Sequence, residues 1–225
     1  NMSIAGETID YGPCAFMDTY HPTTVFSSID ERGRYAYANQ PPIARWNLTR
    51  FAETLLPLLA EDQDKAVAIA QEAIDRFDPQ FQAHLIAGFR RKLGLASEDA
   101  EDVDLIRSLL DAMQQGEADF ALVFRRLSEA AGPAGNADAC CGLFANPSAF
   151  DAWERRWRER LLREPAPAEA RQDAMLRANP LYIPRNHQVE AVIEAAVERN
   201  DLAPFEALLE VLARPFEAQP GREVY

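Results

Sequence analysis

Two oxygen-bearing side chains near the start of the sequence are spaced for metal binding. Asn1 and Asp10 lie on the two arms of a predicted β-hairpin, because Gly6 followed by Glu7 is typical of a type II′ turn. In this register Asn1 is diagonal to Asp10, at about 7–8 Å between backbones. An amide oxygen and a carboxylate at that separation could share a hard cation such as magnesium, with nucleotide phosphates completing the shell.

The opposite face of the predicted hairpin is apolar. The same register pairs Ile4 with Ile9 and Met2 with Tyr11. A half-buried hairpin with a solvated polar face explains the alternation as well as a metal site does. Both interpretations stay open from the pattern alone.

Composition excludes several classes of function. The 225 residues are 48% hydrophobic and 26% charged, which is typical of a soluble globular protein of one large or two small domains. The net charge is −13 and no basic run is present, so binding of nucleic acid through a basic surface is not expected. No apolar run approaches the roughly 20 residues that span a membrane. We therefore expect neither nucleic acid nor membrane among the partners.

Cysteine usage predicts a reducing compartment. The chain contains Cys14, Cys140 and Cys141, an odd number without zinc-ligand spacing. We interpret the adjacent pair as two ordinary thiols. No signal sequence is visible, and a cytoplasmic location is the resulting expectation.

Hydrophobic periodicity predicts an all-α body after a long loop. Turn formers and hydroxyl residues predict a loop over residues 14–43. Apolar residues at intervals of three and four then predict helices. Their expected ranges are residues 43–59, 63–77, 80–93 (after Asp78 as N-cap and Pro79), 97–116 (from Ser97-Glu98-Asp99-Ala100), 120–127 (capped by Asp119), 147–161, 167–178, 187–199 and 203–212.

Two further features of the helical part bear on its organisation. Residues 130–139 contain Gly132-Pro133 and Gly135-Asn136, which favour a flexible break. The helix over 147–161 carries four arginines beside acidic residues, which we interpret as a solvated face with i,i+4 pairing rather than a phosphate site. These four are Arg155, Arg156, Arg158 and Arg160.

Ten short segments, spread from the first residue almost to the last, match a known family in their order. They are Asn1-Met2-Ser3-Ile4, Thr8-Ile9-Asp10-Tyr11-Gly12-Pro13, Gly33-Arg34-Tyr35, Asn39-Gln40-Pro41, Trp46-Asn47-Leu48, Arg50-Phe51-Ala52, Asn179-Pro180, Tyr182-Ile183, Arg185-Asn186 and Arg214-Pro215-Phe216. In these segments the chain resembles the selenoprotein O family, protein adenylyltransferases with a protein-kinase-like fold.

This resemblance implies roles for the two oxygen-bearing residues. Asn1 matches the Asn that closes the catalytic loop, and Asp10 replaces the Asp of the kinase Asp-Phe-Gly motif. The resemblance thus implies that Asn1 and Asp10 are metal ligands for Mg2+ or Mn2+, and that Asp10 also reaches the bound nucleotide through the metal. The implied reaction moves AMP from ATP to Ser, Thr or Tyr hydroxyls of protein substrates.

The resemblance also implies a domain organisation. It divides the chain into an active-site hairpin with an activation-segment-like loop (1–43) and a helical C-lobe (44–225, with the break at 130–139). The fold class expected is mainly α, the helical C-lobe of a protein-kinase-like fold with a small β-hairpin at its N-terminal end.

Several catalytic parts are expected outside this chain. The general-base Asp would immediately precede Asn1, and the kinase-like N-lobe would lie upstream, so we expect a fragment that is inactive on its own. Arg185-Asn186 could buttress the hairpin or cap the core. The alternatives are a non-catalytic helical interaction module of pseudokinase type, transfer of UMP with manganese, or an ordinary phosphoryl-transferring kinase.

Overall fold

The computed structural model describes residues 2–7, 15–133 and 135–225, and these residues are mainly helical. The predicted mainly α class is therefore confirmed. In this described part of the chain, a 3-10 turn, Tyr37–Asn39, precedes the first of ten α-helices. The helices are α1 (Gln40–Leu59), α2 (Gln63–Asp75), α3 (Phe77–Leu93), α4 (Asp102–Gln115), α5 (Phe120–Ala130), α6 (Asp138–Cys141), α7 (Pro147–Leu161), α8 (Ala168–Ala178), α9 (Asn186–Arg199) and α10 (Ala203–Leu212).

The predicted hairpin lies largely outside the described residues. Residues 2–7 contain a turn in which the Gly6 N–H donates to the Ser3 carbonyl at 3.2 Å. Gly6 has φ +72°, in the left-handed region that favours glycine. The residues expected to pair with this arm, Thr8 to Gly12, are not among those described, so the hairpin stays a prediction. Among the described residues the one β-type pairing is an isolated bridge between Thr19 and Asp119.

Two helix starts differ from the prediction. Helix α3 begins at Phe77, so Asp78 lies inside its first turn and is not the N-cap. The Gln80 N–H donates to the Arg76 carbonyl and closes that turn around Pro79, which has no N–H to lose. Helix α4 begins at Asp102 rather than near Ser97.

The late start of α4 has a tertiary cause. The Glu164 carboxylate accepts hydrogen bonds from the backbone N–H groups of Ala96 and Ser97, at 2.8 and 3.1 Å, and from the Ser97 hydroxyl at 2.6 Å. The Asp102 carboxylate accepts the Asp99 N–H at 3.0 Å. These two carboxylates bind the N–H groups of Ala96, Ser97 and Asp99 before the helix begins.

The chain divides into two compact units, each described here by itself. The first contains Pro22–Ala87 with the described residues 2–7, and the second contains Ala15–His21 with Gly88–Tyr225. The predicted boundary at residue 43 stays a prediction. The second unit contains the hydrophobic core, in which α4 packs on α7 and α5 packs on α8. Its largest fully buried apolar side chains are Trp157, Phe124, Phe150, Leu93, Leu109, Met113, Leu127, Met175, Val123 and Val211.

Both buried indoles of that core have hydrogen-bond partners in the backbone. The Trp153 Nε1–H donates to the Leu105 carbonyl at 2.8 Å, and the Trp157 Nε1–H donates to the Leu93 carbonyl at 2.9 Å. A buried indole loses its water partner on folding, so these bonds remove a desolvation cost. They also fix α7 against α3 and α4.

A buried network of charges fastens the same elements. Arg160 Nε lies 2.8 Å from Asp102 Oδ1, and Arg160 Nη1 lies 2.6 Å from Glu164 Oε1. Arg90 Nε contacts the other oxygen of Asp102 at 2.7 Å. The side chains of Asp102 and Glu164 are fully buried. The interpretation of the α7 arginines as a wholly solvated face is therefore wrong for Arg160.

The other α7 arginines behave closer to the prediction. Arg158 pairs with Glu154 at i,i+4 spacing, at 2.7 Å. Arg156 forms an exposed ion pair with Asp104 on α4, at 2.6 Å. Side chains separated by four residues share a helix face, which is why the local pair could be predicted and the burial of Arg160 could not.

Replacing Arg160 with Met should destabilise the protein by about 3–5 kcal/mol, because it leaves two buried carboxylates without their shared cation. Urea unfolding followed by circular dichroism measures this loss. Arg156→Met on the same helix is the matched control. Its exposed ion pair should change the unfolding free energy by no more than about 1 kcal/mol. Equal losses in the two variants would contradict the importance assigned to the buried network.

Acid should also destabilise this network. Burial alone would raise the pKa of Asp102, but hydrogen bonds from Arg160 and Arg90 outweigh it, so the pKa lies below its ordinary value. Burial likewise opposes, without cancelling, the lowering of the Glu164 pKa by hydrogen bonds from Ser97, Ala96 and Arg160. A carboxyl whose pKa is lower in the folded chain contributes stability that is present above its unfolded pKa and lost as pH falls through its folded pKa.

We therefore expect the unfolding free energy to fall as pH drops below about 4, the ordinary range of these carboxyl groups. Glu164→Gln should make that decline shallower, because one titrating group is removed. Urea titrations between pH 7 and 3 measure the slope. Glu159→Gln, at an exposed position of the same helix, should leave the slope as in the parent chain.

Candidate functional site

The segment that follows Asp10 in the sequence is tied to the start of α5. The Tyr20 N–H donates to the Ala118 carbonyl at 2.9 Å, and the Phe120 N–H donates to the Asp18 carbonyl at 2.7 Å. The rings of Tyr20 and Phe120 stack at 5.8 Å between centroids. Residues 18–20 therefore have a defined backbone position, eight to ten residues after the predicted metal ligand.

Arg185 binds one carboxylate on each of the two paired backbone segments. Its Nη1 lies 2.6 Å from Asp18 Oδ1 and also hydrogen-bonds Asp119 Oδ2. The Arg185 side chain is 12% exposed. Burial alone would lower the pKa of Arg185, but hydrogen bonds to Asp119 and Asp18 raise it above the ordinary value. Arg185 therefore stays charged and bridges two carboxylates.

Local structure presents each member of this cluster. Asp119 is the N-cap of α5, where its Oδ1 accepts the Leu122 N–H at 2.7 Å while Oδ2 binds Arg185. Arg185 is the N-cap position of α9. The next residue, Asn186, donates from Nδ2 to the Phe16 carbonyl at 3.2 Å. The N-terminal ends of α5 and α9 are therefore joined through Asp119 and Arg185, and the segment 16–19 contacts both ends.

In the first unit, a loop is built around the Asp30 carboxylate. Its two oxygens accept the N–H groups of Arg34 at 2.8 Å and Tyr35 at 2.7 Å. Gly33 has φ +65°, which a side chain would make strained. The Asn39 amide donates to the Gly33 carbonyl at 2.7 Å, and the Gln40 amide donates to the Tyr35 carbonyl at 2.5 Å. Hydrogen bonds from side chains to backbone carbonyls therefore join the family-like segments 33–35 and 39–41.

The adjoining family-like segments meet at Trp46. The Arg34 guanidinium lies over its indole at 4.5 Å from the ring centroid, and the Arg50 guanidinium lies at 5.6 Å. Arg50 is also paired with Glu53. Such cation–π contacts orient an arginine while leaving its N–H edge free to bind.

The family-like segments near the end of the chain also meet one another. The N–H groups of Leu181 and Tyr182 both donate to the Pro215 carbonyl, at 2.8 and 3.1 Å. The buried Asn179 amide donates to the Lys92 carbonyl and the Ser128 hydroxyl, each at 2.9 Å. These residues stabilise the C-terminal turns of the fold, and none forms a catalytic constellation.

The two residues predicted as metal ligands, Asn1 and Asp10, lie outside the described residues, and their roles stay predictions. Among the residues that are described, no group of three or more His, Cys, Asp or Glu side chains is arranged to hold a metal ion. Within the same part of the chain, no helix is both long and apolar enough to cross a membrane.

The two described thiols are poor candidates for nucleophiles. Cys140 and Cys141 are not joined in a disulfide, as predicted. Burial raises the pKa of the Cys140 thiol, and burial together with the hydrogen bond to Asp151 raises that of Cys141. Because the thiolate is the reactive form, a raised pKa disfavours covalent catalysis here.

Sequence reasoning found one member of the Arg185 cluster and missed its partners. The sequence predicts Arg185-Asn186 as a buttress of the hairpin or a cap of the core, Asp119 as an N-cap, and Asp18 as a loop residue. The structure brings the three together over 66 and 167 residues of sequence. No local spacing marks such a set. The one usable signal was that each lies in a turn or at a helix terminus.

Comparison with known proteins gives consistent results. The family model described as "Protein adenylyltransferase SelO" matches residues 1–213. A "Protein nucleotidyltransferase YdiU" of Rhodopseudomonas palustris (strain ATCC BAA-98 / CGA009) is 58% identical over 96% of this chain and 44% of its own. Proteins of the same name are 59% identical in Bradyrhizobium diazoefficiens, over 100% of this chain and 46% of theirs, and in Nitrobacter hamburgensis, over 98% and 43%. The chain thus spans less than half the length of these curated relatives.

Replacing Arg185 with Gln should loosen the segment 15–21, because two charge-assisted hydrogen bonds, each worth about 1.5–3 kcal/mol, are lost. Hydrogen–deuterium exchange of peptides covering 15–21 and 117–122 should accelerate roughly tenfold to hundredfold. Arg199→Gln, which removes an exposed ion pair with Glu194, is the control and should leave both peptides unchanged. Unaltered exchange in the Arg185 variant would contradict its clamping role.

Proposed function

The chain belongs to the SelO family of protein adenylyltransferases, and from this premise we propose that it supplies the metal-binding part of a protein nucleotidyltransferase. In this proposal the complete enzyme moves AMP from ATP to Ser, Thr or Tyr hydroxyls of protein substrates. The observation that carries it is the match of the family model across residues 1–213, which include Asn1 and Asp10.

The donor chemistry of the two proposed ligands fits a hard cation. Asn1 offers an amide oxygen and Asp10 a carboxylate, and Mg2+ or Mn2+ prefers oxygen ligands of this kind. When bound, the metal would neutralise negative charge on the nucleotide phosphates. Because this chain is acidic, with a net charge of −13, it needs such neutralisation to hold a nucleotide.

Positioning is the contribution that the described residues make to this proposal. Transfer of a nucleotidyl group requires the acceptor and the phosphate to be held in line, and the protein supplies orientation more than covalent chemistry. The cluster of Arg185, Asp18 and Asp119 fixes the backbone at residues 18–20, eight to ten positions after Asp10. The loop built on Asp30 fixes residues 33–40. We propose that each of these rigid segments, taken by itself, helps to position the groups that take part in the transfer.

The test uses a protein of the relatives' full length that carries these 225 residues. It is incubated with ATP labelled on the α- or the γ-phosphate, with magnesium or manganese, and with UTP in a parallel arm. We expect α-label on protein, lowered about a hundredfold or more by Asp10→Ala because a metal ligand is lost. Asp173→Ala, at an exposed position of α8, is the control. The 225-residue chain alone should transfer no label.

Each other outcome selects an alternative. Protein-bound γ-label would identify a phosphoryl-transferring kinase and refute the proposal. Label from UTP with manganese, and none from ATP, would identify transfer of UMP. No label from either nucleotide, with both shown to be intact, would favour a non-catalytic interaction module of pseudokinase type.

A further inference from the structure

The turn that leads to Arg185 is anchored in the core of the second unit at its first residue. Asn179 is fully buried, and its side-chain amide donates to the Lys92 carbonyl and the Ser128 hydroxyl. Its Oδ1 accepts a hydrogen bond from Lys92 Nζ at 3.1 Å. Displacing a buried amide is unfavourable, because each bond that breaks leaves a polar group without water. The start of this turn is therefore fixed.

The middle of the turn is bound by a later segment, residues 215–219. The hydroxyl of the buried Tyr182 accepts the Gln219 N–H at 3.1 Å and donates to the Gln219 carbonyl at 3.4 Å. The Tyr182 N–H donates to the Pro215 carbonyl at 3.1 Å. The Gln219 side chain in turn donates to two carbonyls at and just after the end of α10, at 2.9 and 3.1 Å. Tyr182 is thus held both at its backbone and at its hydroxyl.

The connection from Tyr182 to Arg185 is short and stiff. Only Ile183 and Pro184 lie between these two residues. Proline fixes its own φ at about −65° and restricts the residue before it to extended conformations. The connection therefore has little freedom to absorb a displacement. A shift of Tyr182 should move Arg185, and with it the two ion pairs that hold the segment 15–21.

Helix α5 joins the two ends of this turn. Its N-cap residue, Asp119, binds Arg185. On the same helix, Arg125 donates from Nη1 to the carbonyls of Phe216 and Asn179, at 3.0 and 3.4 Å. All of these contacts lie within the second unit. The turn is therefore bound to one helix near both of its ends, which fixes the direction in which Arg185 extends.

These contacts give a role to a single buried hydroxyl. We infer that Tyr182 is a positioning residue: its hydroxyl fixes the turn that leads to Arg185, and Arg185 fixes the segment 15–21 that follows Asp10 in the sequence. Tyr182 acts through Arg185 and not on the reacting atoms. The inference rests on the proposed function, in which the segment held by Arg185 helps to position the groups that take part in the transfer.

Hydrogen–deuterium exchange of Tyr182→Phe tests this role in a protein of the relatives' full length that carries these 225 residues. The change removes one oxygen atom, which leaves the N–H and carbonyl of Gln219 without this partner. We expect exchange in peptides covering 15–21 to accelerate about threefold to tenfold. Trp153→Phe is the matched control, because it removes a buried hydrogen bond to the Leu105 carbonyl in the same unit. It should leave those peptides unchanged.

A double variant shows whether Tyr182 acts through Arg185. If it does, Tyr182→Phe should add no more than about twofold to the exchange of 15–21 once Arg185→Gln is present, because residues that act through one contact are not additive. Accelerations that multiply would show two independent effects and would overturn the inference. Exchange equal to that of the parent in Tyr182→Phe, or equal acceleration by Trp153→Phe, would also overturn it.

The transfer assay separates this role from a loss of folded protein. Tyr182→Phe should raise the magnesium concentration for half-maximal transfer about threefold or more, because the segment after Asp10 is held less firmly. A smaller folded fraction would lower the rate at every magnesium concentration and leave that midpoint unchanged. An unchanged midpoint beside faster exchange would refute the positioning role. If the parent protein transfers no label, the proposed function fails, and exchange still decides whether Tyr182 fixes the segment 15–21.

Discussion

The burial of Asp102 beside two arginines is the interaction on which the second unit depends. One Asp102 oxygen binds Arg90 on α3 and the other binds Arg160 on α7. Arg160 also forms an ion pair with Glu164. Removing a charge from water costs several kcal/mol, and this cost is offset only when partners have good geometry. Apolar contacts alone would permit small rotations of α7. The network instead selects one docking of α3, α4 and α7, in which both indoles also reach their carbonyl partners.

The candidate site also contains an arginine that binds two carboxylates. Arg185 joins Asp18, in the segment after Asp10, to Asp119 at the start of α5. In both clusters one guanidinium binds two carboxylates from different parts of the chain, Arg160 through Nε and Nη1 and Arg185 through Nη1 alone. This fits the composition, in which the basic residues are almost all arginine. An acidic protein that buries carboxylates needs such cations at defined places.

The two units differ in how they are stabilised, and this difference bears on function. The second unit has a complete core of aromatic and aliphatic side chains. In the first, Asp30, Asn39 and Gln40 order a loop, and within the described range Pro22–Ala87 only Ala36 and Ala66 are buried. Segments similar to the family lie in both units. The family-like loop over residues 33–40 is therefore ordered by hydrogen bonds, whereas the family-like segments of the second unit belong to a part of the chain with a packed apolar core.

Local sequence determined the helices of this protein, and tertiary structure decided which charges are buried. Apolar spacing and capping predicted helices α7 and α10 to the residue, and most of the others closely, since these signals act within a few positions. The ten family-like segments also predicted the family, since each is a run of a few adjacent residues that can be recognised without the structure. The start of α4 could not be read locally, because Glu164, 67 residues away, holds Ser97. The charged neighbours of Arg160 on α7 predict a solvated side chain. The sequence around Arg185 predicts a residue that caps the core or buttresses the hairpin. Their partners lie 58 and up to 167 residues away, and only the packing of helices brings such groups together.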